Sequence, residues 1–213
     1  MKLFIVMEYC SGGSLRDLVL KRGQIQEIFV SIIIREILRG LEYLHSTARI
    51  HRDIRPANIL LTDKGEVKIA DFGVSAELTR TLTKRDSFVG TPNWMAPEML
   101  DGAKHNSKVD IWALGITAIN LATAKIPYDG MKPFYCMKAI KENEPPRLEG
   151  EFTDVFKDFV ARCLVKNPEE RESASELLRH PFVNHHKRIS ILIDLLAQMP
   201  VKELSFEENK FEP

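Results

Sequence analysis

The sequence predicts an α+β fold that is mostly helical and carries a few short β-hairpins. Apolar residues recur at helical spacing in the stretch from Gln24 to Ser46 and again beyond residue 108, which indicates amphipathic helices. Between these regions, residues 51–73 read HRDIRPANILLTDKGEVKIADFG, where short apolar runs flank an Asp-Lys-Gly turn. That pattern is typical of a hairpin. The 213 residues suffice for one large domain or two small ones.

The first predicted elements are a strand and two helices. Residues 2–9, KLFIVMEY, are rich in β-branched and aromatic side chains, which predicts a short buried strand. Two glycines then break the strand, and Ser14 can cap a short helix that runs through Val19. From Gln24 to Ser46 we expect one long amphipathic helix. Its apolar positions include Ile28, Ile32, Leu38, Leu41 and Leu44.

The predicted hairpin would bring three oxygen-bearing side chains into one small volume. Asp53 and Asn58 lie on one flank of it, and Asp71 lies on the other. Oxygen ligands suit a hard cation such as Mg²⁺, which takes its remaining ligands from water and phosphates. A free carboxylate beside that ion can accept a proton from a hydroxyl group. The stretch therefore predicts a magnesium site next to a general base.

Helices account for most of the remaining chain. Residues 74–98 form a polar, threonine-rich connection, and a loop of this length inside a compact domain is usually functional or disordered. A buried helix is predicted from Val109 onward, and Pro127 stops it. Further helical patterns cover residues 132–141, 154–164, 173–179 and 186–199.

Two motifs carry a resemblance to a known family. H-R-D-x-x-x-x-N, from His51 to Asn58, and D-F-G, from Asp71 to Gly73, resemble the catalytic loop and metal-binding turn of protein kinases. Each tripeptide alone is a weak signal, whereas the pair in this order is a strong one. The resemblance covers residues 3–199, with MEYCSGGSL and KRDSFVGTPNWMAPE similar to the sterile-twenty group and RISILIDLL most similar to its Hippo branch.

The resemblance implies roles for four residues around the metal. Asp53 would be the catalytic base, and Asn58 and Asp71 would hold Mg²⁺. Arg55 occupies the position where most serine/threonine kinases carry a lysine against the transferring phosphate. Arginine keeps the positive charge but is bulkier and forked. The structural alternatives are a loop aspartate bonded to backbone amides, a capping asparagine and a turn aspartate.

The resemblance also implies a set of nucleotide-binding residues near a hinge. Met7 would be the gatekeeper, and Glu8 and Cys10 would offer backbone groups to adenine. Leu60 would form the floor of the adenine pocket, and Ser14 completes the cofactor-binding set. Without the neighbouring motifs, this region would be read as a strand and a turn with no ligand.

The connection at residues 74–98 resembles a kinase activation loop. Arg52 would pair with a phosphate on Ser87, with Thr83 and Thr81 as second choices, because a phosphate carries close to two negative charges. The alternative is an unmodified serine in a flexible loop. Thr91 stands where serine/threonine kinases place a threonine against the catalytic aspartate, which indicates serine/threonine specificity. Mass spectrometry that finds phosphate on Thr83 but never on Ser87 in active protein would overturn the choice of Ser87.

Three residues have structural roles in this reading. Glu98 and Arg171 resemble the ion pair that ties the end of the activation segment to the lobe. They are far apart in sequence, so their contact is a prediction for the structure to test. Asp110 would hold the backbone of the catalytic loop.

The resemblance divides the chain into four parts. Residues 1–10 would be the last small-lobe strand and the hinge, and residues 11–184 the kinase large lobe. Residues 185–199 would be a C-terminal amphipathic helix, and residues 200–213 a polar tail. Phosphoryl transfer also uses a glycine-rich loop, yet no G-x-G-x-x-G occurs in the sequence. We therefore expect a truncated catalytic domain whose small lobe is largely missing, with negligible turnover from these residues alone.

Composition limits the compartment and the partners. Lys plus Arg and Asp plus Glu both number 30, and this balance argues against nucleic acid as a partner. The cysteines Cys10, Cys136 and Cys163 are few and widely spaced, which fits a reducing cytosol. The opening apolar run is too short for a signal peptide or a membrane span. We therefore expect a cytoplasmic protein with no nucleic-acid or membrane partner.

The function implied by the resemblance is that of a serine/threonine protein kinase. It would use ATP and Mg²⁺ to phosphorylate protein substrates in a Hippo or MAP-kinase-like signalling cascade, and would itself be a phosphoprotein. A scaffold or dimer partner is also expected. The alternative is a catalytically inactive fragment that acts as a protein-interaction scaffold or decoy.

Overall fold

The computed structural model describes residues 6–71, 92–101, 105–185 and 187–197. In these residues the fold is α+β, with helices around one core and a small antiparallel sheet of three strands, as the sequence predicts. No helix among the described residues is both long enough and apolar enough to cross a membrane.

The sheet contains the predicted hairpin. Its strands are β1 (Gly13–Ser14), β2 (Ile59–Leu61) and β3 (Val67–Ile69), in that spatial order. Ile59 and Leu61 are buried and Leu60 is only half-buried, because successive side chains of a strand point to opposite faces. The turn is closed by Gly65, whose positive φ of 75° suits a residue without a Cβ atom. The hairpin prediction is confirmed.

The predicted N-terminal strand does not form in its described part. Val6 to Tyr9 have no strand assignment, and residues 2–5 lie outside the described residues. Val6 is 97% exposed, so its apolar side chain contributes nothing to the core. A strand needs a neighbour for its backbone hydrogen bonds, and none pairs with this segment in the described sheet. The prediction rested on composition alone, and composition cannot supply the neighbour.

The first two helices follow their sequence signals. Helix α1 (Leu15–Arg22) begins with a capping box in which Ser14 and Asp17 each bond the other's backbone N–H. It runs three residues beyond the predicted end at Val19 because Gly23 closes it. Helix α2 (Glu27–Ser46) begins after Gln26 and buries an isoleucine-rich face.

Helix α3 (Lys108–Thr123) lies at the centre of the molecule. Nearly all of its residues are buried, because it packs against both α2 and α5. It ends before the predicted stop at Pro127, since Ala124 adopts a left-handed conformation and donates its backbone N–H to the Asn120 carbonyl. The close approach of α3 to α5 occurs at Gly115, where a Cβ atom would lie 2.7 Å from that of Cys163.

Four further helices complete the fold. They are α4 (Pro133–Glu142), α5 (Asp154–Cys163), α6 (Ala174–Leu177) and α7 (Ile191–Ala197). Helix α6 is shorter than predicted, and α7 begins five residues later than residue 186. Leu192 and Leu195 on α7 are buried, so this helix packs back on its own lobe. Short 3-10 turns occur at Pro56–Asn58, Pro92–Trp94 and Pro97–Asp101.

Candidate active site

One buried carboxylate organises the backbone of the catalytic loop. Asp110 on α3 accepts hydrogen bonds from the backbone N–H groups of His51, at 2.9 Å, and Arg52, at 2.7 Å. It also lies 2.8 Å from Nε2 of His45 on α2. Arg52 has a φ of 70°, a conformation that a non-glycine residue keeps only when its surroundings hold it. The predicted role of Asp110 is confirmed, whereas the contact of His45 was missed.

The structure brings Asp53 and Asn58 together. The side-chain amide of Asn58 donates to the Asp53 carboxylate at 2.7 Å and to the Asp53 carbonyl at 2.9 Å. These two bonds orient the carboxylate and leave the amide oxygen of Asn58 available to a cation. Asn58 is buried, whereas the side chain of Asp53 is 26% exposed.

Arg55 lies beside the same carboxylate. Its Nε is 3.3 Å from Oδ1 of Asp53, but the two are not aligned for a hydrogen bond. The guanidinium side chain is 40% exposed. It is therefore positioned as a cation next to Asp53, within reach of an incoming anion.

Asp71 is joined to the loop through its neighbour Ala70. The Ala70 N–H donates to the Asn58 carbonyl at 2.8 Å, and the Ala70 carbonyl lies 2.8 Å from Nε2 of His51. Because a carbonyl only accepts, His51 carries its proton on Nε2, and its Nδ1 accepts from the Asp53 N–H at 3.2 Å. His51 thus connects the segments of both aspartates. Sequence reasoning used His51 only as part of the motif.

The donor set at this place fits Mg²⁺. Asp71 is exposed and has a φ of 64°, so a carboxylate stands at the end of β3 on a constrained backbone. A carboxylate and an amide oxygen are hard ligands, and Mg²⁺ usually takes only one or two protein groups in addition to phosphates and water. In the described part of the chain, no group of three His, Cys, Asp or Glu side chains forms a separate metal cluster.

Of the predicted nucleotide-binding residues, Ser14 and Leu60 lie in neighbouring strands of the sheet. Leu60 is paired in register with Ser14 on one side and Lys68 on the other, and its side chain is turned away from the core. The hydroxyl of Ser14 is engaged in the capping box of α1. Met7 is 67% exposed.

A salt bridge links the segment before α1 to the hairpin. Nζ of Lys68 lies 3.4 Å from the carboxylate of Glu8 and 3.3 Å from that of Glu66. The hydrogen bond to Glu66 raises the pKa of Lys68, and Glu8 adds to the effect. Partial burial, with Glu8 nearby, raises the pKa of the Cys10 thiol. The Cys10 carbonyl accepts from the Gly13 N–H at 3.1 Å.

The predicted activation-segment residues are only partly visible. Ser87, Thr83, Thr81 and Thr91 lie outside the described residues. Arg52 is described, and its Nε is buried and has no hydrogen-bond partner in that part of the chain.

The predicted ion pair between Glu98 and Arg171 is confirmed. Two guanidinium nitrogens of Arg171 donate to the two carboxylate oxygens of Glu98, at 2.7 and 3.1 Å. Arg171 is fully buried, and its guanidinium lies over the ring of Trp112 at 5.2 Å. Three backbone carbonyls also accept from it, those of Val165, Lys108 and Lys166.

Comparisons with known proteins agree with this geometry. The family profile described as "Protein kinase domain" matches residues 1–183. The chain is 49% identical over 197 residues to "Serine/threonine-protein kinase dst1" of Dictyostelium discoideum. The match covers 92% of this chain but only 27% of that relative, so the chain spans about a quarter of the relative's length.

Proposed function

The chain belongs to the protein kinase family, and from this premise we propose that its residues form the catalytic large lobe of a serine/threonine protein kinase of the sterile-twenty type. The reaction would transfer the γ-phosphate of ATP to a protein hydroxyl. The observation that carries the proposal is the contact of Asn58 with Asp53, next to the segment that ends in Asp71.

In this proposal each residue has one task. Asp53 orients the substrate hydroxyl and accepts its proton, and Asn58 fixes the direction of that carboxylate. Arg55 places a positive charge where the transferring phosphate would pass. Asn58 and Asp71 would hold Mg²⁺, which would neutralise charge on the phosphates. Leu60, with the backbone of Glu8 and Cys10, would receive the adenine, and Met7 would border it.

Regulation and setting belong to the same proposal. A phosphate on Ser87, or on Thr83, would be received by Arg52, whose buried Nε has no hydrogen-bond partner within the described ranges. Thr91 would contact Asp53 and favour serine and threonine substrates. The protein would act in the cytoplasm within a signalling cascade, on protein substrates and with a scaffold or dimer partner.

The test is radiolabel transfer from ATP by a chimaera in which a kinase small lobe with its glycine-rich loop precedes Val6. We expect transfer to serine and threonine peptides but not to a tyrosine peptide. Asp53→Asn should lower the rate about a thousand-fold, in the range that a positioned general base contributes. The 213 residues alone serve as the baseline.

The matched control is Asp63→Asn, which makes the same change at an exposed residue of the hairpin turn. Its rate should equal that of the unmodified chimaera. A folded chimaera whose rate does not fall on Asp53→Asn would refute the catalytic proposal. The scaffold alternative concerns the 213 residues alone, and it predicts equal background transfer from them with and without Asp53→Asn.

A further inference from the structure

The segment from residue 187 through α7, together with His185, lies against the side of the lobe that carries the β2–β3 hairpin. Leu192 and Leu195 of α7 are buried, while Ile193 between them is 40% exposed. The helix thus docks by one face. Neither the metal site nor the catalytic loop includes any residue of this segment.

A single arginine of α2 fastens the start of the segment. Nη1 of Arg35 donates to the carbonyls of His185, at 3.1 Å, and Lys187, at 2.9 Å. Its Nε donates to Glu36 at 2.9 Å, and the residue is only 7% exposed. A buried guanidinium that satisfies two carbonyls of an irregular segment fixes the path of that segment.

A second contact from α2 orients the imidazole of His185. Ser31 donates its hydroxyl to the Ile28 carbonyl at 2.8 Å, so its oxygen accepts from Nε2 of His185 at 2.9 Å. Nδ1 of His185 then faces Nη1 of Arg35 at 3.3 Å as an acceptor. The side chain and the carbonyl of His185 are therefore both held by α2.

A few residues further along, the same segment touches the turn of the hairpin. A Cβ atom on Gly65 would lie 3.1 Å from the Ile189 carbonyl oxygen and 3.2 Å from Cβ of Leu192. The turn therefore packs directly on the backbone that enters α7. On its other side the hairpin meets α2, where a Cβ on Gly40 would lie 2.7 Å from Cδ1 of Ile69.

The hairpin is the element whose two ends lead to Asn58 and Asp71. Its strands have three residues each, and a hairpin of this size is marginally stable without packing. We propose that Arg35 and α7 are positioning elements for the metal ligands. They hold the turn at Gly65 and thereby fix the spacing of Asn58 and Asp71 at the open end. This inference rests on the proposed function for the identity of the metal site. The coupling between the docking of α7 and the opening of the hairpin does not depend on that function.

Two measurements on the full 213-residue chain test the coupling. Hydrogen exchange reports the opening of hairpin amides such as those of Thr62 and Ala70, which are bonded to Glu66 and Asn58. The affinity for Mn²⁺, measured from the paramagnetic resonance of the free ion, reports whether Asn58 and Asp71 are correctly spaced. Arg35→Met and Leu192→Ala should each speed hairpin exchange about tenfold and weaken Mn²⁺ binding.

Each variant has a matched control. Arg39→Met removes a neighbouring arginine whose hydrogen bonds, among the described residues, all go to the same Glu36. Leu177→Ala removes an equally buried leucine from α6. Both controls should leave hairpin exchange and Mn²⁺ binding unchanged. Arg35→Lys should keep part of the hairpin protection that Arg35→Met loses, because lysine retains one cationic donor.

The outcomes separate this inference from the proposed function. If Arg35→Met and Leu192→Ala lower overall stability no differently from Leu177→Ala and leave hairpin exchange unchanged, the positioning role is wrong. If exchange responds as expected but the unmodified chain binds no Mn²⁺, the coupling stands and the proposed metal site fails.

Discussion

At the scale of single residues, buried charges hold the site in place. Asp110 accepts hydrogen bonds from two loop amides and lies against His45, and Arg171 donates to Glu98 and to three backbone carbonyls. A buried charge contributes only while its partners satisfy it, because removing it from water costs several kcal/mol. These contacts therefore fix geometry more than they add stability, and the loss of one partner should be severe.

Glu98→Ala tests this directly. The change leaves the fully buried Arg171 without its carboxylate, so we expect the free energy of unfolding to fall by about 3 kcal/mol. Urea denaturation followed by circular dichroism measures it. Glu169→Ala, at an exposed position, should change stability by less than about 0.5 kcal/mol. Equal effects of the two substitutions would show that stability does not depend on pairing the buried Arg171 with Glu98.

Sequence reasoning could assign these residues only where a motif named them. Asp110, Glu98 and the pair Asp53 and Asn58 stand at motif positions, so their contacts could be predicted. Arg35 belongs to no motif, and its carbonyl acceptors lie about 150 positions away, a separation that local patterns do not encode. The one signal was an arginine inside the isoleucine-rich stretch SIIIREIL, since a buried arginine requires partners.

At the scale of elements, helices of this fold begin both with and without a side-chain cap. Ser14 caps α1 through a complete capping box, whereas Ser107, at the same position before α3, makes no side-chain cap bond. The ends were less predictable. The left-handed Ala124 stops α3 before Pro127, and an alanine gives no local sign of that conformation.

The two serines form a matched pair for measurement. Ser14→Ala removes the cap and should lower the free energy of unfolding by about 1 kcal/mol. Ser107→Ala removes a hydroxyl that makes no cap bond, and it should change the free energy of unfolding by at most about 0.3 kcal/mol. Thermal unfolding of both variants measures the difference. A loss at Ser107 as large as that at Ser14 would show that capping is not the cause.

At the scale of the whole molecule, α3 is buried along nearly its whole length and packs against α2 and α5. Its apolar residues are not confined to one face, and this pattern predicts a helix that is buried on all sides. The order of packing around it was not predictable, because Gly115 permits the approach of α5 from a part of the chain about fifty residues away. A glycine such as Gly115 has no side chain, so it adds nothing to the hydrophobic periodicity from which packing is predicted.

Gly115→Ala should therefore destabilise the molecule. The added methyl group would meet Cβ of Cys163 and Cγ of Leu164, at 2.7 and 2.9 Å, and overpacking of this kind costs about 1–3 kcal/mol. Gly40→Ala is the control, since its methyl group meets only the flexible tip of Ile69. Chemical denaturation should show a clear loss for the first and almost none for the second.

The contact of Gly65 with the backbone before α7 also acts in reverse. Coupling between two equilibria is reciprocal, so a docked helix that favours an ion must itself be favoured by that ion to the same degree. With an ion bound to the ligand pair, α7 would then stay docked on the hairpin more firmly than without the ion. Exchange of α7 amides with and without Mn²⁺ would report this, and unchanged rates would exclude it.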